Sequence, residues 1–144
     1  MIALDVHEYP LNEAGPGLRV GFPLHSSLGT ASTAAVLIEL QPGATLPTHR
    51  DSPEETLLVL RGAVEAHVEG EVAMLAAGEL AVVPAMAPHG MTNRGDSVAL
   101  VFGFFSSSTV IATFDEPRTP EGGQVFAIGG AEPIVVPLAE AVPA

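Results

Sequence analysis

The chain has 144 residues, a common size for one domain with a buried core. Hydrophobic residues make up 47% and charged residues 15%, which excludes the composition of a disordered chain. Five arginines and no lysine stand against seventeen acidic residues; the net charge of −12 argues against nucleic acid and anionic membrane surfaces as partners.

In chain order, residues 1–17 are polar and broken by Pro10, Gly15, Pro16 and Gly17, which predicts an arm. Leu18–Phe22 reads as a short strand and Ala34–Gln41 as a longer one, stopped by the turn dipeptide Pro42-Gly43. Thr45–His49 follows, then a break at Asp51-Ser52-Pro53, then Glu55–Arg61. In Ala63–Val68, apolar Val64, Ala66 and Val68 alternate with Glu65, His67 and Glu69, the pattern of a half-wet strand. Gly70-Glu71 is expected to turn the chain into Val72–Leu75. Leu80–Val83, the loop Pro84–Pro88, and strands His89–Asn93, Val98–Phe105, Thr109–Phe114 and Gln124–Ile128 complete residues 18–128.

The tail, 129–144, carries Pro133, Pro137 and Pro143 around apolar Ile134–Val136 and reads as an edge strand. About ten strands at a spacing of roughly 8–12 residues predict an all-β sandwich or barrel. No stretch sustains helical apolar spacing.

The absence of cysteine excludes disulfides, thiolate nucleophiles and zinc–thiolate sites, and fits a reducing compartment. The first ten residues lack a basic region followed by an apolar one, and the longest apolar runs are too short for a membrane span. A cytoplasmic protein is therefore expected.

Side chains two apart on a strand share a face, so His49 and Asp51 project together. Glu55 heads the next strand and shares its facing with Leu57 and Val59, while His89 opens a strand some thirty residues later. If these strands line one barrel, two imidazoles and one or two carboxylates converge near its mouth. Such donors suit Fe(II), Mn, Ni, Zn or Cu(II), and two histidines with one carboxylate and open positions are the non-haem iron pattern.

The spacing resembles the two motifs of the cupin family. The first, G-x5-H-x-H-x3/4-E-x6-G, is matched by Gly43, His49, Glu55 and Gly62; the second, G-x5-P-x-G-x2-H-x3-N, by Gly78, Pro84, His89 and Asn93. Asp51 stands where the first motif has its second histidine, and Met86 where the second has glycine, which suggests a different loop shape. The resemblance implies a jelly-roll barrel (a double-stranded β-helix) with a divalent metal held by His49, Asp51, Glu55 and His89. Two carboxylates favour Fe(II) or Mn(II), with Zn or Ni as alternatives. Asp51 is read as a direct ligand, a water-mediated one or a neighbour that orients a ligand.

Glu55 and Asp51 are the candidate catalytic carboxylates. Leu57, Val59, Met91, Phe102 and Phe104, with Met86 beside them, are the expected walls of an apolar substrate pocket. Glu54, His67 and His7 are expected at the surface, and Arg50 in an outer-face salt bridge. His25 is a candidate acid–base group at the barrel mouth, and Ser106-Ser107-Ser108 reads as a turn. A metal-dependent enzyme on a small molecule is expected, dioxygenase-like on an apolar or phenolic substrate. The alternatives are a non-redox isomerase, cyclase or decarboxylase, and a non-catalytic binding module. Pairing into a homodimer, through an edge strand, the arm or the tail, is expected as well.

Overall fold

The computed structural model describes residues 1–130 and, as backbone alone, Val136 and Pro137. Its strands are β1 (Asn12–Gly15), β2 (Leu18–Leu24), β3 (Ala34–Leu40), β4 (Thr45–Asp51), β5 (Glu55–Arg61), β6 (Ala63–Val68) and β7 (Glu71–Ala76). They continue as β8 (Leu80–Val83), β9 (His89–Thr92), β10 (Ala99–Phe105), β11 (Val110–Phe114), β12 (Val125–Ile128) and β13 (Val136–Pro137). Among the described residues the single helical turn is a 3-10 turn at Ser26–Leu28.

Two antiparallel sheets form the body, in the orders β1-β2-β3-β10-β5-β8 and β13-β12-β11-β4-β9-β6-β7. The non-sequential neighbours, β10 between β3 and β5 and β4 between β11 and β9, are the crossovers of a jelly roll. The space between the sheets is filled by apolar side chains from both, among them Leu40, Leu57, Val59, Val64, Met91, Val101 and Val110, each essentially sealed from solvent. Each such side chain contributes about 1.5–3 kcal/mol through burial.

Three local expectations need correction. Residues 12–15, read as part of an arm, form β1 and pair with β2 from Asn12↔Val20 onward. The sequence hides this strand because it is only four residues long and ends at Gly15-Pro16-Gly17. The turn after β6 is Glu69-Gly70 rather than Gly70-Glu71; both turn residues have positive φ, 51° and 84°, as a tight type I′ hairpin demands. At Met86 the backbone is left-handed, with φ 64°, the conformation glycine adopts most easily. The glycine of the family motif thus has a steric reason here, and Met86 carries the strain in its place.

Of the proline-rich tail beyond Gly130, the structure describes β13, which pairs with β12 at the sheet edge; residues 131–135 and 138–144, with Pro133, Ile134, Val135 and Pro143, lie outside the described residues.

Candidate metal centre

His49 on β4 stands directly opposite His89 on β9, and their ring centroids are 4.1 Å apart. A register irregularity between Leu46 and His49 precedes this pairing. Asp51, two residues on, shares the inward face of β4, opposite Ala112 on β11. Glu55 comes from the other sheet, at the start of β5 opposite Phe105. All four side chains are buried: His49 is 6% exposed, Asp51 4%, Glu55 3% and His89 1%.

The backbone fixes the protonation pattern of both imidazoles. His49 Nδ1 lies 2.8 Å from the carbonyl oxygen of Pro47, and His89 Nδ1 lies 2.9 Å from that of Ala87. A carbonyl only accepts, so each Nδ1 carries its hydrogen and donates it. In the neutral ring, Nε2 is then a bare lone pair aimed inward. His89 Nε2 lies 3.1 Å from Asp51 Oδ2 and 3.2 Å from Glu55 Oε1, and His49 Nε2 lies 3.4 Å from Asp51 Oδ2.

Acceptors facing acceptors in a buried site repel one another unless a cation lies among them. Asp51 Oδ2 is sealed from solvent and receives no well-aligned hydrogen bond. In the metal-free protein a proton supplies the positive charge. Burial alone would lower the His89 imidazole, but the Asp51 and Glu55 carboxylates outweigh it and push it up to about 10. Burial would raise Asp51, but the two imidazoles beside it hold it down to about 2. Glu55 is raised above the usual carboxylate range by burial, and the Asp51 charge adds to the shift against the opposing pull of His89.

A divalent ion meets the same need better than a proton. One donor atom each from His49, Asp51 and His89 lies within 4.8 Å of the others, the span of ligands around one ion. Two imidazoles with their outer nitrogens tied to carbonyls and one carboxylate are a donor set that fits a divalent metal. Asp51 therefore belongs to the convergent group despite the motif's preference for histidine. Glu55 reaches it through His89 rather than standing inside the 4.8 Å cluster. Gly103 on β10 makes room for this carboxylate: a Cβ there would collide with Glu55 Oε2 and lie 2.7 Å from Val36 Cγ1.

The centre opens into a cavity of about 670 Å³. Leu57 and Met91 line it. Val59 does not; it is fully buried one layer deeper in the core. Phe102 and Phe104 do not line it either: they face outward on β10, with Phe104 40% exposed, while Val101, Gly103 and Phe105 point in. Met86 is also away from the cavity and largely exposed. Arg50 makes no salt bridge among the described residues and donates instead to the Met86 carbonyl at 3.1 Å. Glu54 and His7 are exposed and His67 is half-buried on the outer face of β6, while Ser106–Ser108 is a bend between strands.

His25 is 3% exposed and lines the cavity, and its Nδ1 has no partner. Burial lowers its pKa and keeps the ring neutral. The motif spacing gave no sign of Phe114, whose ring stacks on His49 at 4.8 Å, or of Arg118, whose guanidinium lies 5.4 Å over the Phe114 ring. Nor did it point to Tyr9, Asn12 and Glu13, which β1 and the residues before it bring to the cavity wall. Asn93 serves the fold rather than the metal centre. Its amide donates to the Leu40 and Ser97 carbonyls and its oxygen accepts from the Gly95 N–H.

Residues 36–105 match the family model of the cupin domain. A comparison with curated proteins finds no match. Among solved structures, KdgF from Halomonas sp. is 24% identical, with 71% of this chain and 90% of that chain covered at a TM-score of 0.59. Oxalate decarboxylase from Lactobacillus farciminis, in a formate complex, is 20% identical at a TM-score of 0.69, covering 76% of this chain and 34% of that one. Salicylate 1,2-dioxygenase from Pseudoaminobacter salicylatoxidans, with gentisate, is 20% identical at a TM-score of 0.58, covering 65% and 26%. At such identities the likeness is one of fold. The motif residues converge inside a jelly-roll barrel whose central strands, within residues 36–105, match the cupin-domain model, so this part of the chain is a cupin domain.

Proposed function

We propose that the protein is a divalent-metal-dependent enzyme of dioxygenase type acting on a small, largely apolar phenolic or enolic molecule. The observation that carries the reading is the meeting of His49, Asp51 and His89 within 4.8 Å at the wall of a mostly apolar cavity. Fe(II) or Mn(II) is the preferred ion, because a carboxylate replaces a third imidazole. A redox-active ion there supplies Lewis acidity and access to dioxygen chemistry.

The chain's own residues divide the remaining work. Pro47 and Ala87 orient the imidazoles through their carbonyls. Leu57, Met91 and Phe105 exclude water from the apolar part of a substrate. Glu55, raised toward the protonated form and hydrogen-bonded to His89, is the candidate proton donor and acceptor. That feature favours a second reading, a non-redox isomerase, cyclase or decarboxylase in which Glu55 moves the proton. A binding module without turnover is the third reading.

Elemental analysis of untagged protein, followed by oxygen uptake with Fe(II) against catechols, flavonols and diketones, separates these. Metal with oxygen consumption supports the dioxygenase. Metal with substrate conversion and no oxygen consumption moves the second reading ahead. Metal with ligand binding and no conversion leaves the binding module.

A homodimer completes the proposal. On the outer face of β5, β8 and β10, Leu80 lies beside Leu58 and Leu58 beside Phe102; Val82 lies beside Thr56 and Thr56 beside Phe104. Leu80, Val82 and Phe104 are 56%, 53% and 40% exposed. These two rows carry no charge in a chain of net charge −12, so this is where a second copy approaches with least repulsion.

A further inference from the structure

The five arginines are unequally employed. Arg19 and Arg61 meet Glu39, Arg94 meets Glu65, and Arg50 donates to the Met86 carbonyl at the surface. Arg118 is half-buried in the wall of the cavity that holds the metal centre, and no carboxylate of the described residues pairs with it. One N–H goes to the Ala14 carbonyl at 2.7 Å, and the guanidinium plane rests over Phe114.

A guanidinium has five N–H donors in a rigid fork, so most remain without an acceptor among the described residues. Glu13, on the same wall, is exposed and makes no ion pair with it. A half-buried cation left unpaired costs free energy unless a ligand supplies the counter-charge. Its position relative to the centre is fixed, because Phe114 touches both groups, 4.8 Å from the His49 ring and 5.4 Å from Arg118 Cζ.

We propose that Arg118, with Thr119 beside it, binds a carboxylate of the substrate, which is therefore an apolar acid carrying its metal-binding oxygens at the other end. This deepens the function proposed above and rests on it. A carboxylate suits a single guanidinium by forming two parallel hydrogen bonds. A phosphate dianion lacks the second cation it would need, since the chain has no lysine and Arg118 is the one arginine in the cavity wall.

The rival role is a clamp that holds β1 through Ala14, and charge-matched probes separate the two. Co(II)-loaded protein is titrated calorimetrically with dihydrocaffeate, a catechol with a propanoate tail, and with its primary amide. The wild type is expected to bind the acid about tenfold more tightly than the amide, the worth of one charge-assisted pair in a half-buried site. Arg118→Gln removes that preference while leaving amide affinity unchanged, and Arg118→Lys retains part of it.

Equal affinity of the wild type for acid and amide, or an equal loss of both in Arg118→Gln, overturns the proposal and leaves the metal reading standing. Failure of both probes to bind the loaded wild type overturns the proposal together with the assignment of the cavity as a substrate site.

Discussion

His89 Nε2 lies 3.1 Å from Asp51 Oδ2, a nitrogen lone pair set against a carboxylate in a site almost sealed from water. Only a positive charge between them makes that contact favourable, so removing either partner weakens cation binding. Asp51→Asn keeps the shape and removes the charge; it is expected to lower metal affinity by about 10–100-fold. Competition with a chelator, read by elemental analysis, measures this. Unchanged affinity would place Asp51 outside the coordination sphere.

Glu55 sits beside the cluster rather than in it, so its loss separates chemistry from binding. Glu55→Gln is expected to leave metal content near wild type and lower kcat by about 10²-fold or more. Loss of metal in this variant would make Glu55 a ligand.

Gly103 acts on the same carboxylate from the opposite strand. Gly103→Ala drives a methyl into Glu55 and Val36 and is expected to destabilise the fold by about 1–3 kcal/mol. Activity should fall further than stability alone explains, because the Glu55 carboxylate must move. Denaturant melts paired with steady-state kinetics on the folded variant test both parts.

The pH dependence of the metal-free protein follows from two opposed shifts. His89, ordinarily near 6.5, is raised to about 10, so its contribution is full below 6.5 and is lost as pH rises through 10. Asp51, ordinarily near 3.8, is lowered to about 2, so its contribution is full above 3.8 and is lost as pH falls through 2. For these two groups, stability peaks between those ordinary values. Metal must displace the His89 proton, so affinity for a divalent ion rises with pH over the alkaline range. Melting temperatures with and without metal, from about pH 5 to about pH 10, are expected to diverge as pH increases.

The fold and the centre of the site were legible because their signals are local. Alternation in β6, the turn dipeptides and the motif spacing each lie within a few residues, and the period of two put His49 and Asp51 on one face. The pocket walls were not legible for a definite reason. Val98–Phe105 is continuously apolar, so nothing within it says which face is inward; only pairing of Phe105 with Glu55 across the sheet decides. Phe102 and Phe104 were assigned inward for lack of that register. Gly103, an isolated glycine in an apolar strand, was the available clue to a close approach. His25, Phe114 and Arg118 reach the cavity from loops and strand ends whose placement depends on contacts distant in sequence.

The strain at Met86 gives a prediction independent of chemistry. Met86→Gly relieves a left-handed φ at an exposed site and is expected to stabilise the fold by about 0.5–1 kcal/mol, after allowing for the freer unfolded chain. Chemical denaturation with an unchanged m-value checks it.

Whether one divalent ion is held by His49, Asp51 and His89 is tested most directly by anomalous diffraction from crystals grown with the metal. A single peak about 2.0–2.2 Å from both Nε2 atoms and an Asp51 oxygen is the expected result. A peak elsewhere, or none at full metal loading with both imidazoles still bonded to the carboxylates, would contradict it.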